Sequence, residues 1–305
     1  MKNMILAMKQ TFRLTILALA LAAASQAAAQ NLGLPRPSPP ASLSYTLGYT
    51  DIAIRYGAPA VDGRDIWGAL VPYGEIWRAG ANEATVIAFS TAVEIEGQPL
   101  PAGQYAFFLI PQESGPWTAI FNRETEQWGA YRYRQEADAL RVEVEARFSK
   151  AAADERLQYS IVAQDADNGY LRLAWEHLRL YLRVKVNTVD SAMAQVQQAL
   201  AAAPEGEKWN IHAQAANFLL WAGQPARAQA QAERSIALKA NSWNYWLKAR
   251  SQAAQNDFAA ALQAARQARS LGQTEGAESF YSRSEAALQP VVEGWQSQLK
   301  SGSRD

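Results

Sequence analysis

From residue 41 to residue 187 the chain is built of short segments that alternate apolar and polar or are rich in β-branched and aromatic residues, and no helix-length periodic segment interrupts them. Turn residues punctuate the run at Glu96-Gly97-Gln98, Ala102-Gly103, Ser114-Gly115-Pro116 and Asp167-Asn168-Gly169. Strands spaced by roughly 8 to 12 residues with such punctuation indicate an antiparallel β-sandwich, jelly-roll or immunoglobulin-like in type. Expected strands include Leu43–Tyr49, Thr85–Phe89, Tyr105–Ile110, Trp117–Asn122, Trp128–Tyr133 and Leu178–Val186. Arg141 to Glu145 and Tyr181 to Lys185 alternate cleanly, so each should have one wet face, and outer positions in the sheets are expected for both.

At Asn187 the texture changes. Ser191 to Ala203 is alanine- and glutamine-rich with Met193, Val196 and Leu200 at helical spacing, and helical patterns follow to about residue 300. Gly223 to Ala228 and Asn256 to Ala261 are similar segments 33 residues apart, each leading into an amphipathic helix that closes on Leu238 or Leu271. A helix-turn-helix unit recurring near 34 residues resembles the tetratricopeptide repeat. The expectation is therefore a second, α-helical, tetratricopeptide-like domain over residues 190–300. In it, Trp209, Trp221, Trp243 and Trp246 pack against alanines, and a protein partner has a surface to bind.

The N-terminus carries Lys2, Lys9 and Arg13, then an apolar run from Leu14 to Ala24, then small residues ending at Ala27-Ala28-Ala29. This pattern predicts a signal peptide over residues 1–29, cleaved after Ala29, and hence a periplasmic or secreted protein. Residues 30–40 form a proline-rich leader that cannot serve as a central strand. No later apolar run is long enough to span a bilayer. The absence of cysteine removes disulfides, thiol nucleophiles, thiolate metal sites and a lipidated N-terminal cysteine. Loss of the three N-terminal cations leaves 26 basic against 29 acidic side chains, a balance that disfavours nucleic acid as a partner.

Gly63 to Ser90 is the densest stretch of chemistry, with Arg64, Asp65, Trp67, Trp77, Arg78, Asn82 and Glu83 in one loop. So many aromatics imply an ordered, packed loop. A forked guanidinium on a rigid loop recognises a carboxylate or phosphate, with Asn82 adding amide contacts. The competing expectation is an internal Arg78–Glu83 ion pair. Trp67, Trp77, Trp117 and Trp128, with Tyr73, Tyr131 and Tyr133, offer either a stacking platform for a flat ligand or ordinary core packing. Glu83 or Asp65 as acid or base, with Arg78 stabilising charge, would make a hydrolase of an envelope polymer. His177 and His212 lack a second histidine at ligand spacing and are expected to be structural. Asp165, Asp167 and Asn168 suit either a calcium site or an acidic hairpin turn. Neither a phosphate-cradling glycine loop nor a dinucleotide fingerprint is present, so no cofactor is expected.

The segments GRDIWGALVPYGEIWRAGANEAT (Gly63 to Thr85), LPAGQYAFFLIP (Leu100 to Pro111), WTAIFN (Trp117 to Asn122) and QWGAYRY (Gln127 to Tyr133), with LRLAWEHLRLYLRV near the end, resemble a bacterial family known as domain of unknown function 2911. The resemblance covers residues 41–187. It implies an exported protein, in some members with a helical extension, and places Arg64, Trp77, Arg78, Gly80, Asn82 and Glu83 at the centre of the motif without supplying an activity. The expected function is a non-enzymatic binding or scaffold protein of the cell envelope. Residues 63–85, with Trp128, would recognise a small anionic or glycan ligand or a partner. The alternative is the hydrolase.

Overall fold

The computed structural model describes residues 34–302; the expected signal peptide and the first residues of the leader lie outside the described residues. Twelve strands occupy the N-terminal part of those residues. They are β1 Pro40–Leu47, β2 Thr50–Gly57, β3 Thr85–Phe89, β4 Val93–Ile95, β5 Gln98–Leu100, β6 Gly103–Ile110, β7 Trp117–Asn122, β8 Asp138–Val144, β9 Ala146–Phe148, β10 Asp154–Ala163, β11 Asn168–Glu176 and β12 Leu178–Val186. They form two antiparallel sheets, ordered β1-β2-β3-β6-β7-β8 and β10-β11-β12-β4-β5, with β9 also on β12. Alternation does the rest. Ile52, Ile54, Ile87, Phe107 and Phe121 of the first sheet share one buried cluster with Leu171, Leu173, Leu180, Leu182 and Val184 of the second.

The outward face of the first sheet is not all wet. Ala84, Ala106, Phe108 and Ile120 form a second apolar cluster there, covered by Ile76, Ala130 and Tyr133 from the two long loops. That is why β6 and β7 read as almost continuously apolar.

Three strand expectations change. Of Trp128 to Tyr133, only Trp128 pairs, in an isolated bridge to Glu83, because Gly129 turns left-handed (φ 62°) and ends the ladder. The Arg141–Glu145 segment does form the edge strand β8, but Tyr181–Lys185 belongs to β12 in the interior of its sheet. Its alternation reports a sheet wet on one side, not an edge. The strand β5 was not foreseen: three residues with Pro99 at the centre carry little strand signal, and the sheet edge is where such a strand is tolerated.

Six helices follow among the described residues: α1 Thr188–Ala202, α2 Lys208–Trp221, α3 Pro225–Leu238, α4 Ser242–Ala253, α5 Phe258–Glu275 and α6 Phe280–Gly302. The 33-residue spacing has a structural counterpart. Gly223 and Asn256 are both left-handed, with φ 69° and 63°, and the hydrogen bonds Gln224 N to Leu219 O (2.8 Å) and Asp257 N to Gln252 O (3.0 Å) close the same turn twice. Small residues let the helices approach: Ala213, Ala216 and Ala232 meet Leu247, and Ala264, Ala265 and Ala268 meet Trp246. Trp246 also stacks on Trp295 at 5.3 Å. Trp221 instead lies exposed at the end of α2, beside Phe218. No helix among the described residues is long and apolar enough to cross a membrane.

The helices meet the sheets at a tight contact around Thr188. Thr188 N donates to Asp167 Oδ1 (3.0 Å), and its hydroxyl donates to Ala166 O (3.2 Å). Gly48, at φ 56°, packs against them so closely that a Cβ there would lie 1.8 Å from Thr188 Oγ1 and 2.4 Å from Ala166 O. Gly48→Ala therefore combines a left-handed backbone with a clash, and should cost about 2–4 kcal/mol in chemical unfolding, with a lower melting temperature.

Candidate functional site

The loop between β2 and β3 is held by tryptophans. Trp77 stacks on Trp175 of β11 at 5.8 Å, and Trp67 sets its edge against both at 5.7 Å and lies 5.1 Å from Trp117 of β7. Their polar edges are largely satisfied: Trp67 Nε1 donates to Glu176 (3.2 Å), Trp77 Nε1 to Gly80 O (3.2 Å) and Trp117 Nε1 to Gln112 O (3.0 Å). Main-chain bonds in both directions between Trp77 and Leu109, each 2.8 Å, dock the loop on β6. Trp77 then faces the core, and its neighbour Ile76 packs on the outward face. Next in the chain, the Ala79 carbonyl accepts from the buried hydroxyls of Thr85 (3.1 Å) and Tyr159 (2.7 Å), and burial pushes the Tyr159 hydroxyl well above its ordinary pKa. This fixes the half-buried Arg78 in place.

The second loop, residues 123–137, is stapled at its base. Fully buried Asn122 donates to Arg134 O (2.9 Å) and Asp138 Oδ1 (2.7 Å), while its own carbonyl oxygen accepts from Glu124 N (2.9 Å). Tyr133 donates to Asp138 Oδ2 at 2.7 Å, and Arg141 donates to the same oxygen at 2.9 Å. The two loops zip together through Ala84 N to Gln127 O and Gly129 N to Asn82 O, both 2.9 Å.

Between this zipper, the outward side of β1 to β3 and the leader runs an open groove of about 1470 Å³. Its lining includes Arg36, Arg55, Arg132, Glu83, Glu126, Trp128 and Tyr131. Trp128 is 52% exposed and Tyr131 87% exposed. Arg36 Nη1 donates to both Glu83 carboxylate oxygens (2.8 and 3.0 Å), and the guanidinium sits 5.9 Å from the Trp128 ring centroid. This hydrogen bonding holds the Glu83 carboxyl below its ordinary pKa.

The predicted residues thus divide. Asn82, Glu83 and Trp128 meet at the groove. Trp67 and Trp77, with Trp117, belong to the core cluster, so no four-tryptophan platform exists. Arg64 locks its own loop by donating to Val61 O (3.0 Å) and Ala60 O (2.6 Å). The expected Arg78–Glu83 ion pair does not form, because Glu83 turns to Arg36 of the leader. Arg78 lies behind the groove wall, where a methyl on Gly129 would sit 3.8 Å from its Nη1 and 3.3 Å from the Tyr131 ring. Its Nε is shut off from solvent without a hydrogen-bond partner, and burial lowers its pKa. Gln127 Oε1 is buried and unpartnered in the same wall. The bond from Arg36 favours the ionised Glu83 carboxylate, which suits a base better than an acid.

His212 is held by Gln231 (2.7 Å), and His177 Nε2 lies 3.5 Å from Glu176. Asp165 accepts from Asp167 N and Asn168 N at 2.8 Å, an acidic hairpin turn, and among the described residues no cluster of three potential metal ligands occurs. Reading the sequence overlooked Arg36, Arg55, Arg132 and Trp175. The signal for Arg36 was its place as the sole charge in an otherwise proline-rich leader.

Residues 38–184 match a family described as Protein of unknown function (DUF2911). The match spans nearly all of the β-structured part of the chain. No curated protein and no solved structure matches the chain. The matched residues contain both loops, the groove's sheet and Arg78, whereas α1 to α6 lie outside the DUF2911 match.

Burial and the bond to Asp138 push the Tyr133 pKa up to about 12. Its neutral form is thus favoured by folding. The resulting stabilisation is complete below the unfolded value near 10 and is lost as pH rises through about 12. The stability advantage of the native chain over Tyr133→Phe should be full at pH 8 to 9 and shrink across that window, as read by urea unfolding at each pH.

Proposed function

We propose that the protein is an exported, non-enzymatic binding protein of the cell envelope whose groove takes a small anionic, ring-bearing ligand, an acidic sugar being the simplest chemistry. The observation that carries this reading is Arg78: a half-buried cation with no internal carboxylate partner, placed behind the exposed Tyr131. Burying an unpartnered charge lowers stability; Arg78 itself does not line the groove, and in this reading the ligand's anionic group reaches past Tyr131 to supply the missing counter-charge. The groove supports the same sign, since three arginines face two glutamates along its lining. Tyr131 and Trp128 add flat faces with polar tips, which suit a sugar ring.

The sandwich topology is read as jelly-roll or immunoglobulin-like, and the helical hairpins recurring at 33 residues as a tetratricopeptide-like array. Such arrays serve as protein-contact surfaces. In this reading residues 1–29 direct export, and the helical array connects the ligand-binding β part to a protein partner.

The test is thermal unfolding of the exported chain with glucuronate, galacturonate and their neutral parent sugars. A ligand at 100 times its dissociation constant adds about 2.7 kcal/mol. Acidic sugars should stabilise the native chain and neutral ones should not. Arg78→Leu should leave the unliganded melting temperature unchanged or raised, because it removes an unpaired desolvated charge, and should abolish the acidic-sugar shift. A destabilised Arg78→Leu variant with no sugar response in either protein would make Arg78 architectural and end this reading.

A further inference from the structure

The leader is not a spacer beside the groove; the motif residues grip it. Glu83 takes both hydrogen bonds from Arg36, Trp128 lies against the same guanidinium, and Asn82 Nδ2 donates to Ser38 O (2.9 Å). Ala58 N donates to Pro39 O (2.9 Å), and Arg156 Nη1 to Pro37 O (3.3 Å). These contacts read one arginine side chain and a row of main-chain carbonyls. That is the surface an extended proline-rich segment presents, because it makes no internal hydrogen bonds and its prolines have no N–H to satisfy.

The frame of the grip is main-chain pairing that does not involve the leader. Glu83 and Trp128 are cross-strand neighbours in a short bridge closed by the zipper bonds at Ala84 and Gly129. Asn82 is held left-handed at φ 63°, a conformation that costs a non-glycine residue and concentrates at binding sites. The occupant, by contrast, is loosely seated. Arg36 and Glu83 side chains are 48% and 57% exposed, and most of the residues from Leu34 to Pro40 are exposed. Exposed ion pairs of this kind hold weakly.

We propose that Asn82, Glu83 and Trp128 form a binding site for an extended, arginine-bearing, proline-rich peptide of a partner protein, and that the chain's own segment Leu34–Pro40 is its intramolecular occupant. The site shares Trp128 with the groove of the acidic-sugar reading but does not use Arg78, so the Arg78→Leu test and the peptide test read the two proposals separately. Tethering gives the leader a high effective concentration, so a peptide in trans binds well only when the leader's arginine is removed.

The experiment is fluorescence anisotropy with a labelled peptide of sequence LPRPSPP and the full chain. The Arg36→Ala protein should bind it at least tenfold more tightly than the native protein. Glu83→Ala or Trp128→Ala added to Arg36→Ala should abolish that gain, and a peptide with alanine for arginine should not bind. Circular dichroism confirms that each variant is folded, as expected for changes at exposed positions. The proposal is overturned by an absence of saturable binding to Arg36→Ala, or by binding indifferent to Glu83 and Trp128. It is equally overturned by a native dimer that Arg36→Ala dissociates, since the occupant would then be the leader of a second copy.

Discussion

The stack of Trp77 on Trp175, with Trp67 edge-on to both, is the contact on which the groove depends. It joins the long loop to β11 of the opposite sheet, and its aromatic area is large enough to order a segment with no regular structure of its own. With Trp77 fixed inward, the main-chain pairing to Leu109 puts Ile76 on the outer face and leaves Arg78 at the wall. The chain from Ala79 to Ala84 then runs alongside Gln127 to Gly129. Asn82 and Glu83 take their positions from that packed cluster.

The second constraint is polar. Asn122 and Asp138 close the base of the 123–137 loop with buried hydrogen bonds, so a segment of turns behaves as a rigid lid over the apolar cluster on the sheet. The groove is thus framed by two loops pinned by different physics, aromatic packing on one side and a satisfied amide-carboxylate network on the other. Trp128 and Tyr131 remain exposed although both loops are fixed.

Much of the architecture was legible because it is periodic. Period-two alternation located β12 to the residue, β-branched and aromatic enrichment between turns located β3 and β7, and the 33-residue echo of Gly223 to Ala228 located the helical hairpins. The site was legible only in part. Trp77 and Trp128 look alike in sequence, yet one is core and the other groove, since which face a loop residue takes is decided by tertiary pairing. The partner of Glu83 was sought five residues away and found in Arg36, because an ion pair spanning 47 positions leaves no local trace. Arg78, by contrast, stands out in the loop sequence and does carry a buried, unpartnered Nε. A half-buried cation whose Nε has no partner is a feature that sequence can suggest and only packing can reveal.

One consequence concerns force. β12 is hydrogen-bonded to β11 on one side and to β4 and β9 on the other, and a single residue, Asn187, separates its end from α1. Tension between the helical array and the sheets is therefore delivered along the axis of an interior strand, parallel to its ladders. Hydrogen bonds loaded in this way share the strain together instead of parting one at a time. The junction is thus a mechanical anchor: a pull on the helices reaches the β part through a strand bonded along both edges, on the far side of the core from the groove.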